Sequence, residues 1–195
     1  MLLPSRSCAP LLCCFALLLC STGVQAQGTT RTTAAGPAVP CSKHMTPSTW
    51  QLLPRQGISC GALKIDFGQP RAALRAAMAA AGFVPPKPDR YQDEDDFQSA
   101  DKSSFIRVRY DAGDKVQDIE FLGGMLAYQG APLHGGTTFA DVKKRFKAAK
   151  LQLRDTQWLG DGQDCPELGI NIATREDVGG DGDGIEWVIL SSTFK

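Results

Sequence analysis

Four charged residues in this 195-residue chain are spaced so that they could act together. Arg107 and Arg109 alternate with Ile106, Val108 and Tyr110, and Asp118 and Glu120 alternate with Ile119 and Phe121. A period of two is the pattern of a half-buried strand, so each pair of charges falls on one face of its strand. Between them, Ala112-Gly113-Asp114-Lys115 supplies a turn, with Gly113 available for a positive φ. If the two strands form a hairpin, register sets Tyr110 opposite Gln117, Val108 opposite Ile119 and Ile106 opposite Phe121. On the other face Arg109 then meets Asp118 and Arg107 meets Glu120. A slip of two residues would place Arg109 against Val116 and Phe105 against Glu120, which is worse on both faces. Opposite charges paired in this way are either a solvated sheet surface or a polar recognition surface.

Other groups are weaker candidates. Asp177, Asp181 and Asp183 lie among glycines and offer oxygen ligands of the kind Ca²⁺ prefers. Their spacing does not fit an EF-hand, and Asp-Gly steps are common hairpin turns. No metal is therefore expected, with these three as the alternative set. The run Asp93-Glu94-Asp95-Asp96 reads as a solvated acidic loop unless a cation or a basic partner compensates it. His44 and His134 are the chain's histidines, too few for a zinc site with scattered cysteines. No nucleophile elbow is present, and Gly160-Asp161-Gly162 does not open a helix. No catalytic residue and no cofactor are expected. Trp158 stands beside the loop that holds Asp161, and both are candidate partner contacts because aromatic residues dominate interface energetics.

Compartment follows from the first 26 residues. Arg6, the apolar run Leu11–Cys20 and the small-x-small sequence Val24-Gln25-Ala26 describe a secretory signal peptide. The apolar run is shorter than the roughly 20 residues a membrane span needs. Lipid modification at Cys20 is the minority alternative, because Leu19 is larger than the small residue expected there. The whole chain carries 21 basic and 21 acidic residues, and loss of Arg6 leaves 20 against 21, a charge of −1. That balance argues against nucleic acid and against an anionic membrane surface as partners. Periplasmic or secreted localisation is expected. After removal of the signal, Cys41, Cys60 and Cys165 remain, enough for one disulfide. Cys41–Cys60 is the nearer pair and is preferred; Cys60–Cys165 is the alternative.

Residues 27–48 are polar and punctuated by Pro and Gly, a flexible leader. Ser42 to Ile58 reads as irregular chain or a short helix starting near Thr49. Residues 49–195 are expected to form one α+β domain. Ala62–Phe67 alternates as a strand, and Pro70–Ala81 is an Ala-rich helix with Leu74, Ala77, Met78 and Ala81 as its buried stripe. Val84 to Ser104 is a long connection. After the hairpin come a short strand at Met125–Gln129 and a loop holding Pro132 and His134. A second helix follows, capped by Thr138 with Asp141 as partner, burying Phe139, Val142, Phe146 and Ala149. Lys143, Lys144, Lys147 and Lys150 occupy its outer face. Leu168, Ile170 and Ile172 form a strand, and GIEWVIL, apolar on both faces, forms a last strand central in its sheet.

The two helices align without gaps at an offset of 68: Gly68 with Gly136, Leu74 with Val142, Met78 with Phe146. The expected architecture is two β-α-β-β units, about 60–123 and 124–195, sharing a mainly antiparallel sheet with both helices on one face. The order IDFG, helix, RVRYDAGDKVQDIEF, helix, ELGINIATR, GIEWVIL resembles small secreted bacterial immunity or inhibitor-type proteins built from tandem α/β units. The resemblance implies a binding protein that neutralises a secreted or periplasmic toxin or hydrolase. Alternative functions are a periplasmic small-ligand or calcium-binding protein and an envelope structural protein.

Overall fold

The computed structural model describes residues 49–84, 92–156 and 162–194. The expected signal peptide, the leader, Cys20 and Cys41 lie outside these residues.

The chain is α+β, with two α-helices and two sheets among the described residues. It opens with β1 (Thr49–Leu53), β2 (Gly57–Cys60) and β3 (Leu63–Asp66), followed by α1 (Arg71–Ala80), β4 (Phe83–Val84), β5 (Glu94–Ser99), β6 (Phe105–Tyr110) and β7 (Val116–Gly123). It continues with β8 (Met125–Tyr128), β9 (Ala131–His134), α2 (Phe139–Ala148), β10 (Arg154–Asp155), β11 (Gln163–Cys165), β12 (Ile170–Thr174) and β13 (Ile185–Ser191). The large sheet has the order β10-β11-β12-β13-β7-β6-β5-β4, and its described pairings are antiparallel. The small sheet has the order β3-β2-β1-β8-β9, with β1 and β8 parallel.

The strands thus divide between two sheets where one had been expected. Two local features cause this. Thr49–Leu53 and Gly57–Cys60 pair as a hairpin, not as irregular chain or a helix, and β1 then accepts β8 on its free edge. Gly124, at φ +103°, turns the chain out of the large sheet; a Cβ there would lie 2.6 Å from the Ser103 carbonyl. Pro132 sits in β9, an edge strand, where its missing N–H costs no ladder bond. His134 closes the same junction. Its Nδ1 lies 2.9 Å from the Gly124 carbonyl, its Nε2 3.3 Å from the Glu186 carbonyl, and its ring meets Phe121 edge-on.

Each helix follows a two-stranded hairpin and precedes four strands of the large sheet. In each half the first helical N–H is satisfied by the turn before the last strand: Arg71 N donates to Asp114 O, and Phe139 N to Asp183 O, both at 2.9 Å. Single bridges Pro70–Lys115 and Thr138–Gly184 sit at the matching places. Thr138 caps α2 as expected, its hydroxyl accepting from Asp141 N and donating to the Asp141 carboxylate. Gly82 at φ +89° follows α1. Leu74 and Met78 of α1, and Val142 and Phe146 of α2, enter one core with Ile106, Val108, Ile119, Phe121, Val188 and Leu190 of the large sheet and Trp50, Ile58 and Leu126 of the small one. Ala149, expected in the α2 stripe, is exposed.

The acidic run is not a loop. Residues 94–99 are β5, so alternate carboxylates point to opposite faces. Asp95 points inward, only 2% exposed, beneath α1. There it accepts from Arg71 (2.8 and 3.2 Å), Arg75 (2.7 and 2.8 Å) and the Tyr110 hydroxyl (2.8 Å). The Arg71 guanidinium also lies over the Tyr110 ring, 4.6 Å from its centre. Burial pushes the Asp95 carboxyl up, but the hydrogen bonds from Arg75, Arg71 and Tyr110 outweigh it and hold it below its ordinary value.

Removing one member of such a buried cluster leaves unpaired charge, so Asp95→Ala should lower unfolding free energy by about 3–5 kcal/mol in urea titration. The depressed carboxyl contributes stability above the unfolded value of about 3.9, and that contribution disappears as pH falls through the folded value. Asp95→Asn should therefore flatten the acid limb of the stability profile; an unchanged limb would show that Asp95 does not anchor α1.

Candidate functional site

The face of the large sheet turned away from the core is built from every second residue of its central strands. One rung crosses seven strands in register: Asp96, Arg107, Glu120, Ile189, Asn171, Asp164 and Arg154. The next brings together Glu94, Arg109, Asp118 and Ser191. Trp187 follows on the same face, opposite Ala173. Both helices and the small sheet contribute to the core on the other side.

The hairpin register holds over most of its length. Val108 faces Ile119, Ile106 faces Phe121, Arg109 faces Asp118 and Arg107 faces Glu120. It departs at the turn: a bulge at Arg109/Tyr110 sets Tyr110 opposite Val116 instead of Gln117. The positive φ belongs to Asp114 (+58°), not to Gly113. Asp111 fixes the turn by accepting from Gly113 N and Lys115 N with one side-chain oxygen.

The ion pairs form a lattice wider than the hairpin. Arg107 meets Asp96 at 2.8 Å, Glu120 at 3.5 Å and Glu94 at 3.6 Å. Arg109 meets Glu94 at 2.6 Å and Glu120 at 3.2 Å. Arg109 therefore pairs diagonally, leaving its strand neighbour Asp118 to accept from the Ser191 hydroxyl at 2.5 Å and from Gln117 at 3.4 Å. Three carboxylates, Glu94, Asp96 and Glu120, share two guanidiniums. The arginine side chains are 28% and 39% exposed and Asp96 is 47% exposed, while Asp118 and Glu120 lie below them at 5% and 8%. Burial pushes the Asp118 carboxyl up despite the Ser191 and Gln117 hydrogen bonds. Burial also raises Glu120, with Arg109 and Arg107 offsetting only part of it.

The other half of the face carries little charge. Trp187 Nε1 donates to Asn171 Oδ1 at 3.2 Å, and Asn171 Nδ2 donates to Asp164 Oδ1 at 2.9 Å. Trp187 is half-buried, while Ile189, Ala173, Asn171 and Asp164 around it are buried.

Of the sequence-derived candidates, Arg107, Arg109, Asp118 and Glu120 converge. Trp158 and Asp161 lie outside the described residues. Asp177 Oδ2 accepts from Thr174 N (2.7 Å) and Thr174 Oγ1 (2.8 Å), so it fastens a turn, while Asp181 and Asp183 are exposed. Among the described residues no group of three or more His, Cys, Asp or Glu side chains could hold a metal. Cys165 is a buried free thiol, which removes the Cys60–Cys165 pairing; Cys60 is buried and is not free. Sequence reasoning missed Glu94 and Asp96, hidden in the apparent acidic loop, and Trp187. The signal for Trp187 was present: it alternates with Val188 and Leu190, which belong to the core face.

No protein-family model matches the chain, and comparison with curated proteins and with solved structures finds no similar protein.

A raised carboxyl favours the fold below its unfolded value and loses that advantage as pH rises through the folded value. Asp118→Asn keeps an oxygen to accept from Ser191 and removes the buried charge. It should raise the midpoint of thermal unfolding by roughly 2–4 °C at pH 7, a change of about 1 kcal/mol at this chain length. The gain should vanish near pH 4, and circular dichroism at the two pH values checks it.

Proposed function

We propose that this protein is a secreted or periplasmic binding protein that recognises and neutralises a partner protein, a toxin or hydrolase acting at the cell envelope, through the outer face of its large sheet. The observation that carries this reading is the outer-face lattice: two arginines held by Glu94, Asp96 and Glu120, with the half-buried Trp187 on the same face. Isolated surface ion pairs contribute little stability, so a lattice of this extent is more than the sheet needs. Pre-positioned arginines and a half-exposed tryptophan are the residues that dominate interface energetics when a partner excludes water.

The matching hairpins, helices and bridges in the two halves support a chain made of two similar units, about 60–123 and 124–195, that have diverged on this face. We further propose that Cys41 pairs with Cys60 and pins the leader to β2. A near-neutral chain without a metal-binding side-chain group among the described residues gives the calcium-binding alternative less support.

The test is capture of a defined envelope hydrolase, followed by titration of variants. Arg107→Ala with Arg109→Ala should weaken the complex by about 30-fold or more while leaving the fold intact. A folded double variant with unchanged affinity would return this face to plain sheet surface. Peptide mapping without reductant should recover Cys41 linked to Cys60. Burial pushes the Cys165 thiol up to about 12, so that thiol should react with iodoacetamide only after denaturation.

A further inference from the structure

The outer face of α2 carries a charge pattern that the binding reading does not use. Lys143, Lys144 and Lys147 lie on the helix, Lys150 follows just past its end at φ +59°, and all four are exposed. None takes part in an ion pair among the described residues. Lys143 instead rests near the Phe139 ring, its Nζ 5.4 Å from the centre. The remaining basic group of the helix, Arg145, is turned inward to the Pro132 carbonyl and the Thr137 hydroxyl. The acidic residue of the helix, Asp141, is engaged in the Thr138 cap.

The first half of the chain provides an internal control. At the offset of 68, Lys143, Lys144, Lys147 and Lys150 fall on Arg75, Ala76, Ala79 and Gly82. Ala76 and Ala79 are exposed on α1, so the helix packs equally well with a neutral outer face. Arg75 is the exception, and its guanidinium is held by Asp95. In the second half the corresponding rung, Gln163-Ile172-Val188 against Asp95-Val108-Ile119, has a neutral glutamine where Asp95 stands. The helix dipole favours a cation at Lys147 in the last turn, but among the described residues no carboxylate pairs with any of the four lysines. Lys143 and Lys147, four residues apart, repel one another, and the helix dipole offsets this only near the C-terminal end.

We propose that this helix face docks the protein on an anionic lipid surface, the lysines facing headgroup phosphates. A lipid surface fits better than the other anions. Lys143 and Lys147 stand about 6 Å apart along the axis and spread outward, which suits distributed phosphates more than one bound group. The face carries no exposed aromatic ring on which nucleic-acid bases could stack. The near-zero charge of the whole chain does not oppose this, because screening confines each patch to about 8–10 Å.

The experiment is co-sedimentation of the exported protein with vesicles of phosphatidylcholine alone and with about one-third phosphatidylglycerol. The protein should bind the anionic vesicles selectively and be released as salt rises from about 0.1 to 0.5 M. Lys144→Ala with Lys147→Ala restores the residues the first half carries at those places. It should weaken vesicle binding roughly 30-fold, at about fivefold per lysine, without lowering the unfolding temperature. Lys144→Gln with Lys147→Gln, which keeps side-chain length, should behave alike. Equal binding to both vesicle types, or variants that bind as the parent does, would overturn the proposal. So would release by millimolar inorganic phosphate, which would mark a discrete phosphate site, or tighter binding to a single-stranded oligonucleotide.

Discussion

The antiparallel pairing of β7 with β13 makes one molecule of two halves. Each half supplies four strands to the large sheet, and without this pairing each would end on its longest strand, apolar toward the core and open along its edge. Unpaired long apolar edges invite association, and closing both against each other removes that hazard. The short strands β4 and β10, two residues each, are left outside. The pairing also sets the electrostatics of the outer face. Asp118 and Glu120 lie on a central strand, with arginines on one side and Ser191 and Ile189 on the other. Their burial follows from that position, and their raised carboxyls follow from their burial. Had β7 been an edge strand, the same residues would have been ordinary solvated acids.

Charge has opposite jobs on the two faces of β5. Outward, Glu94 and Asp96 extend the arginine lattice; inward, Asp95 fixes α1 through two guanidiniums and the Tyr110 hydroxyl. A carboxylate this deeply buried persists because its hydrogen bonds are complete, a condition under which such a group specifies geometry more than it adds net stability. The second half solves the same docking problem with apolar contact. Phe139 stands where α1 has Arg71 and packs against the core, and Gln163 stands where β5 has Asp95.

Much of this was legible in the sequence where neighbours in the chain are neighbours in space. Alternation and opposite charge set the β6–β7 register, because a two-residue slip is penalised on both faces at once. Thr138 and Asp141 announced the start of α2, and the two-sided apolar pattern of Ile185–Leu190 announced a central strand. What escaped depended on distant partners. The acidic run looked like a loop because its four arginines lie at 71, 75, 107 and 109, on a helix and on the next strand. The hairpin β1–β2 consists of strands of five and four residues, too short for a periodic signal. The second sheet required knowing that Gly124 takes φ +103°, which a glycine permits but does not declare.

The candidate site shows the same limit more sharply. Its four hairpin charges could be named and paired from alternation, yet their actual bonds differ: Arg109 prefers Glu94 and Glu120 to its strand neighbour Asp118. The reason is supply. With Glu94 opposite it on β5, Arg109 reaches two carboxylates that have no hydroxyl donor, while Asp118 already accepts from Ser191. A cross-strand pair predicted from one hairpin is therefore a statement about which residues share a face. Which of them bond is decided by the strands that flank the hairpin, here β5 and β13, whose partners lie 11 and 15 residues upstream or 73 downstream with no local sign of the pairing. Charges on a central pair of strands should be read as a lattice awaiting its neighbours, and the pairwise pattern as its first row.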